Sequence, residues 1–143
     1  MTVTGMIRPK TGLALVTALI IALPPGEAEA RGTYRYPKPG SCTAARITLV
    51  GARLEGDRFA PPGPGAWDPG TTVGFADGRW MVSYEFSPVV YRWRKGDRVR
   101  LCVVELPRGC PPGDHRGIRY RAENLRTRTS WAAIDSEHYC GGA

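Results

Sequence analysis

The chain has no apolar run long enough to cross a bilayer. Its longest, Leu13 to Leu23, is eleven residues interrupted only by Thr17, about half of the roughly 20 that a spanning helix requires. There are two histidines, His115 and His138, and neither a Cys-x-x-Cys nor a His-x-x-x-His pair, so the usual ligand spacings of a zinc site are missing. No Gly-x-Ser-x-Gly elbow is present, which removes the nucleophile turn of an α/β-hydrolase. Lysine is scarce, with Lys10, Lys38 and Lys95 set against an abundance of arginine. There is no internal repeat and no amphipathic helical stretch, and no cofactor is expected.

The short apolar run reads as an export signal. Arg8 and Lys10 precede it as a positive region, and Ala28-Glu29-Ala30 supplies small residues at the spacing a signal peptidase needs. Residues 1–30 are therefore expected to be a cleaved signal peptide, 31–41 a flexible leader, and 42–143 a single β-rich domain. A periplasmic or secreted location follows, with no membrane span in the mature form. Cleavage after Ala30 would leave 113 of the 143 residues, enough for one domain and too few for two.

All four cysteines, Cys42, Cys102, Cys110 and Cys140, lie beyond that cut, in a compartment where disulfides form and persist. The favoured pairing is Cys102–Cys110 across the Leu106 to Gly109 turn, with Cys42–Cys140 joining the domain's ends. The other pairings stay open, because spacing alone does not decide connectivity.

Charge is concentrated. Residues 92–128 hold eleven basic and four acidic side chains, which equals the net +7 of the whole chain. Nearly all of the cations are arginines, whose planar donor fork suits phosphate and carboxylate. Solvated charge on strand faces is the simpler explanation of the same pattern.

Period-two alternation dominates. Thr43 to Val50 sets Ala45, Ile47 and Leu49 against Arg46 and Thr48. Thr71 to Phe75 and Trp80 to Phe86 flank Asp77-Gly78, a strong hairpin signal. On that second strand Trp80, Val82, Tyr84 and Phe86 are expected to face the core, as is Trp131. Ser87-Pro88 can open a single helical turn. Arg98 to Leu106 buries Val99, Leu101 and Val103, Ile118 to Glu123 buries Ile118, Tyr120 and Ala122, and Ser130 to Ile134 returns. Gly51 to Gly70, rich in proline and glycine, is a long loop of the kind often tied to function. The sum is an all-β fold: a small antiparallel barrel or sandwich of about six strands, stapled by disulfides.

Three constellations invite chemistry. Asp135, Ser136 and His138 bring an acid, a hydroxyl and an imidazole together, yet such triads are assembled from distant segments, and a terminal turn capped by Asp135, with Ser136 hydrogen-bonding locally, is the simpler account. His115 would meet His138 only if Cys110 and Cys140 draw their segments close. Arg98, Arg100, Arg119 and Arg121 point outward if their apolar neighbours point in, and two such strands side by side make a guanidinium patch.

The stretches Gly96-Asp97-x-Val99, Cys110-Pro111-Pro112-Gly113-Asp114, Arg116-Gly117, Asn124-Leu125-Arg126-Thr127, Ser130-Trp131, Asp135-Ser136-x-His138 and the closing Cys140-Gly141-Gly142-Ala143 resemble a family of small exported proteobacterial-type proteins of uncharacterised activity. The resemblance spans about the last fifty residues, and the Trp67 to Tyr84 segment more loosely. It implies a Gram-negative envelope location and carries no activity or site. The expected function is binding of an anionic envelope polymer or acidic protein through the arginine-rich strands, with no nucleic acid partner. The alternatives are an inhibitor of an exported hydrolase, acting through a loop such as Ala60 to Gly70, and a small enzyme using His138, Asp135 or His115.

Overall fold

The computed structural model of the chain describes Met1 and residues 34–142. The expected signal segment, Met1 aside, lies outside the described residues. Six strands form in the order β1 (Cys42–Gly51), β2 (Thr71–Phe75), β3 (Trp80–Ser83), β4 (Arg98–Glu105), β5 (Arg119–Asn124) and β6 (Thr129–Ile134), with a 3-10 turn at Val90–Arg92 between β3 and β4. They close into an antiparallel barrel in the circular order β1-β2-β3-β6-β5-β4. Two three-stranded meanders thus meet edge to edge, through β1 with β4 and β3 with β6. Closure leaves no long free edge to recruit another chain.

Alternation makes the interior. Val99, Leu101 and Val103 of β4, Tyr120 and Ala122 of β5, Ile47 of β1, Val73 and Phe75 of β2 and Met81 of β3 pack together, and Val90, Trp93 and Ile118 close the ends. The Asp77-Gly78 hairpin is present, with Gly78 at φ +83° and the Phe75 N–H donating to the Arg79 carbonyl. Ser87 opens the 3-10 turn by accepting the Val90 N–H on its hydroxyl. Gly51 allows the loop to fold back, because a Cβ there would lie 1.6 Å from the Gly56 carbonyl oxygen.

Two expectations about which side chains face inward are corrected. Trp80 is 45% exposed, and Tyr84 is exposed, while Met81 is fully buried. The Trp80-Met81-Val82 run is apolar throughout, so its hydrophobicity carries no parity, and barrel closure puts Met81 inside. The Trp80 ring lies instead across Gly74, where an added Cβ would come within 3.1 Å of it. Leu49 leaves the inward set for a different reason. The β1–β2 register shifts between Ile47 and Leu49, and this bulge reverses the alternation, so that Val50 packs on the core and Leu49 does not. Trp131, by contrast, is partly buried against the core and meets Trp93 edge to face.

The disulfides also differ from the favoured pairing, Cys102–Cys110 with Cys42–Cys140. They join Cys42 to Cys102 and Cys110 to Cys140. Topology decides this: the β1–β4 register sets Cys42 directly across from Cys102, so strand pairing itself brings the two cysteines together. The second bridge ties the loop before β5 to the segment after β6. Such cross-links suit an oxidising compartment. No helix among the described residues is long and apolar enough to cross a membrane.

The segment before β1 lies along the domain from Tyr34 onward. Tyr36 packs against the core, and the Gly40 N–H donates to the Val103 carbonyl.

Candidate functional site

The outer surface of β1, β4 and β5 carries the arginines that alternation assigned outward. Val99 and Leu101 inward require Arg98 and Arg100 outward, and Tyr120 and Ala122 do the same for Arg121. The register then sets Arg46 opposite Arg98, Arg100 opposite Glu123, and Arg121 opposite Cys102. The Cys42–Cys102 bridge lies on this same outer face and cross-links the two strands that carry Arg46, Arg98 and Arg100.

The four expected patch residues divide. Arg98 and Arg121 are exposed and make no ion pair among the described residues. Arg100 is paired with Glu123, N to O 2.6 Å, which offsets its charge. Arg119 turns away from them, donates to the Tyr139 hydroxyl at 3.2 Å, and lines a cleft with Tyr84 and His138. Arg46, which lies outside the charge-dense 92–128 segment, joins the patch. Its Nη1 donates to the Gly96 carbonyl at 2.8 Å, and so its guanidinium lies beside the turn that leads into Arg98. Its outward parity on β1 is plain in the sequence, but its neighbour is set by a long-range strand pairing.

Below the patch lies a buried polar hub. Asp97 accepts Arg126 Nε on Oδ1 at 2.7 Å, and on Oδ2 it accepts Asn124 Nδ2 at 2.7 Å, Arg126 Nη2 at 2.8 Å and the Arg94 N–H at 2.9 Å. Asn124, fully buried, accepts the Arg126 and Thr127 N–H groups on Oδ1. The Arg126 guanidinium, with help from Asn124 and the Arg94 N–H, holds the Asp97 carboxyl down to about 2. The hub locks the β5–β6 turn, where Arg128 takes φ +56°, to the turn before β4.

The histidines and Asp135 fall into two clefts. His115 stacks on Tyr34, centroids 3.8 Å apart, and its Nδ1 meets the Tyr36 hydroxyl at 3.3 Å. It shares an open cleft of about 640 Å³ with Tyr34, Asp114, Asp135 and Ser136. Burial pushes the Asp135 carboxyl up, although its Oδ1 accepts the Gly117 and Ile118 N–H groups. That oxygen is therefore engaged in fastening the start of β5 rather than capping a terminal turn. His138 instead meets the Tyr84 hydroxyl at 3.3 Å in the other cleft. No hydrogen bond among the described residues joins His115, His138 or Asp135 side chains to one another. Ser136 spans the gap locally, donating to the His138 carbonyl. No cluster of metal-ligating side chains occurs among the described residues.

No protein-family model, no curated protein and no solved structure matches this chain.

Proposed function

We propose that the chain is an exported binding domain that engages an anionic polymer of the cell envelope through the outer face of β1, β4 and β5. The observation that carries this reading is the Arg46–Arg98 pair. Like charges directly opposite each other in a sheet destabilise it; Arg46 has one donor engaged by the Gly96 carbonyl, while Arg98 is exposed and makes no ion pair among the described residues. A polyanion laid across the pair would relieve the repulsion and gain charge-assisted hydrogen bonds.

The geometry suits a polymer more than a small anion. Arg46 and Arg98 border a shallow depression of about 380 Å³ that also holds Asp77, and Arg121 lies exposed two strands from Arg46 on the same outer face, so the free donors are spread along the sheet. The Cys42–Cys102 bridge fixes these strands in register, which reduces what is lost in ordering them on binding. The disulfides, and the resemblance of about the last fifty residues to exported proteins, support a periplasmic or secreted location, where envelope polysaccharides are the abundant polyanions and nucleic acid is not.

Retention on an anionic matrix tests it. Charge reversal at Arg46, Arg98 or Arg121 should lower the salt needed for elution, and Arg58→Glu, exposed on the long loop, should leave it nearly unchanged. Retention that ignores salt, or an equal effect of all four variants, would remove the proposal.

A further inference from the structure

A second site stands on different observations, at the barrel end that holds the 3-10 turn. There a groove of about 720 Å³ runs between the β1 bulge and the turn. Its floor is hydrocarbon: Leu49 and Val50 on one side, Phe59, Tyr91 and Trp93 on the other. Phe59, Phe86 and Tyr91 form a mutual cluster with centroids 5.0 to 5.7 Å apart, so the apolar wall is pre-formed. Tyr91 is nonetheless 48% exposed. The bulge is what supplies Leu49 here, and bulges commonly re-aim a side chain next to a site.

The rim is cationic. Arg94 and Lys95 border the groove, and across Tyr91, Trp93 and Arg94 it continues into a second depression of about 500 Å³ edged by Arg92 and Arg126. Arg92, Arg94 and Lys95 make no ion pair among the described residues. Asp57 is the one carboxylate among the lining residues of this groove, against the two cations Arg94 and Lys95. The Asp97 hub holds the Arg94 backbone and Arg126 in place.

We propose that this groove binds an acidic peptide segment of a partner protein, with one bulky apolar side chain seated on Leu49, Phe59 and Tyr91 and its carboxylates on Arg92, Arg94 and Lys95. Charge complementarity selects an acidic occupant, and the apolar floor selects a side-chain anchor of the kind that dominates peptide affinity. The larger depression sets Thr48, Asp57, Arg94 and Lys95 beside five apolar residues, and two of those four polar groups are cations, which favours carboxylates over the neutral hydroxyls of a glycan.

The test is a nitrogen-15 NMR titration of the oxidised protein with the peptide Asp-Glu-Phe-Leu-Glu-Asp, alongside two controls. One control replaces the acids with Lys, and the other replaces Phe-Leu with Ser-Ser. The expected result is shifts at the Leu49, Tyr91 and Arg94 amides and at the Trp93 indole N–H, absent with both controls. Tyr91→Ala and Arg94→Glu, at exposed positions, should each weaken binding about tenfold with the spectrum otherwise retained. Shifts centred on Arg98 and Arg121, equal binding of the Ser-Ser control, or no groove shift with any peptide would overturn the proposal. So would polygalacturonate producing the groove shifts when the peptide does not.

Discussion

Arg46 and Arg98 face each other directly across β1 and β4, two exposed guanidinium groups on strands that the Cys42–Cys102 bridge clamps together. Replacing one with an acid converts repulsion to attraction. Arg98→Glu, which unlike Arg46→Glu leaves the Arg46 bond to the Gly96 carbonyl in place, should therefore raise stability by up to about 1 kcal/mol at low salt, seen as a higher melting temperature, while weakening polyanion binding. A variant that gains stability and loses binding distinguishes a site from a purely structural charge pair.

Asp97 gives the clearest pH dependence. Its folded carboxyl lies at about 2, below the ordinary 3.8. A depressed carboxylate stabilises the fold fully above its unfolded value and loses that contribution as pH falls through its folded value. Asp97→Asn should cost about 2 kcal/mol at neutral pH by urea unfolding, with the difference from the parent protein shrinking between about pH 4 and pH 2. Asp135 acts in the opposite sense, since burial raises it. Its stabilising contribution is present below the ordinary value and is lost as pH rises through the raised one, so only the Asp97 difference isolates the hub.

Peptide mapping of the unreduced protein should recover Cys42 linked to Cys102 and Cys110 linked to Cys140. The bridges close 60 and 30 residues, for which chain entropy assigns each about 4 kcal/mol. Replacing either pair with alanine should lower unfolding free energy by about that amount, with the 42–102 pair the costlier.

In β3, Met81→Ala should cost about 2–5 kcal/mol by opening a cavity in the core. Trp80→Ala should cost less, about 1–2 kcal/mol, since the residue is already 45% exposed. The opposite order in denaturant unfolding would return Trp80 to the interior.

Legibility followed the kind of signal each segment carried. In β4 and β5, arginine alternates with valine, leucine, tyrosine and alanine, so strand and inward face are both readable, and Val99, Leu101, Tyr120 and Ala122 are buried as alternation requires. In β3 three apolar residues run together, and periodicity held no information about which would turn inward. Leu49 was hidden by a bulge, a one-residue insertion that leaves no mark in the alternation of Ala45, Ile47 and Leu49. The cysteine partners, and the placing of Arg46 beside Arg98, depend on β1 pairing with β4 across more than fifty residues, information that no local window contains. The same holds for the groove, whose walls come from β1, the long loop and the 3-10 turn.

The most direct measurement is the affinity for a soluble polyanion, such as polygalacturonate, as a function of sodium chloride for the parent protein and for the Arg46→Glu, Arg98→Glu double variant. Counter-ion release makes the logarithm of affinity fall linearly with the logarithm of salt, in proportion to the charges neutralised. The parent should show a steep slope and the double variant a shallower one with weaker binding at every salt concentration. Identical slopes and affinities for the two proteins would contradict a binding role for this face.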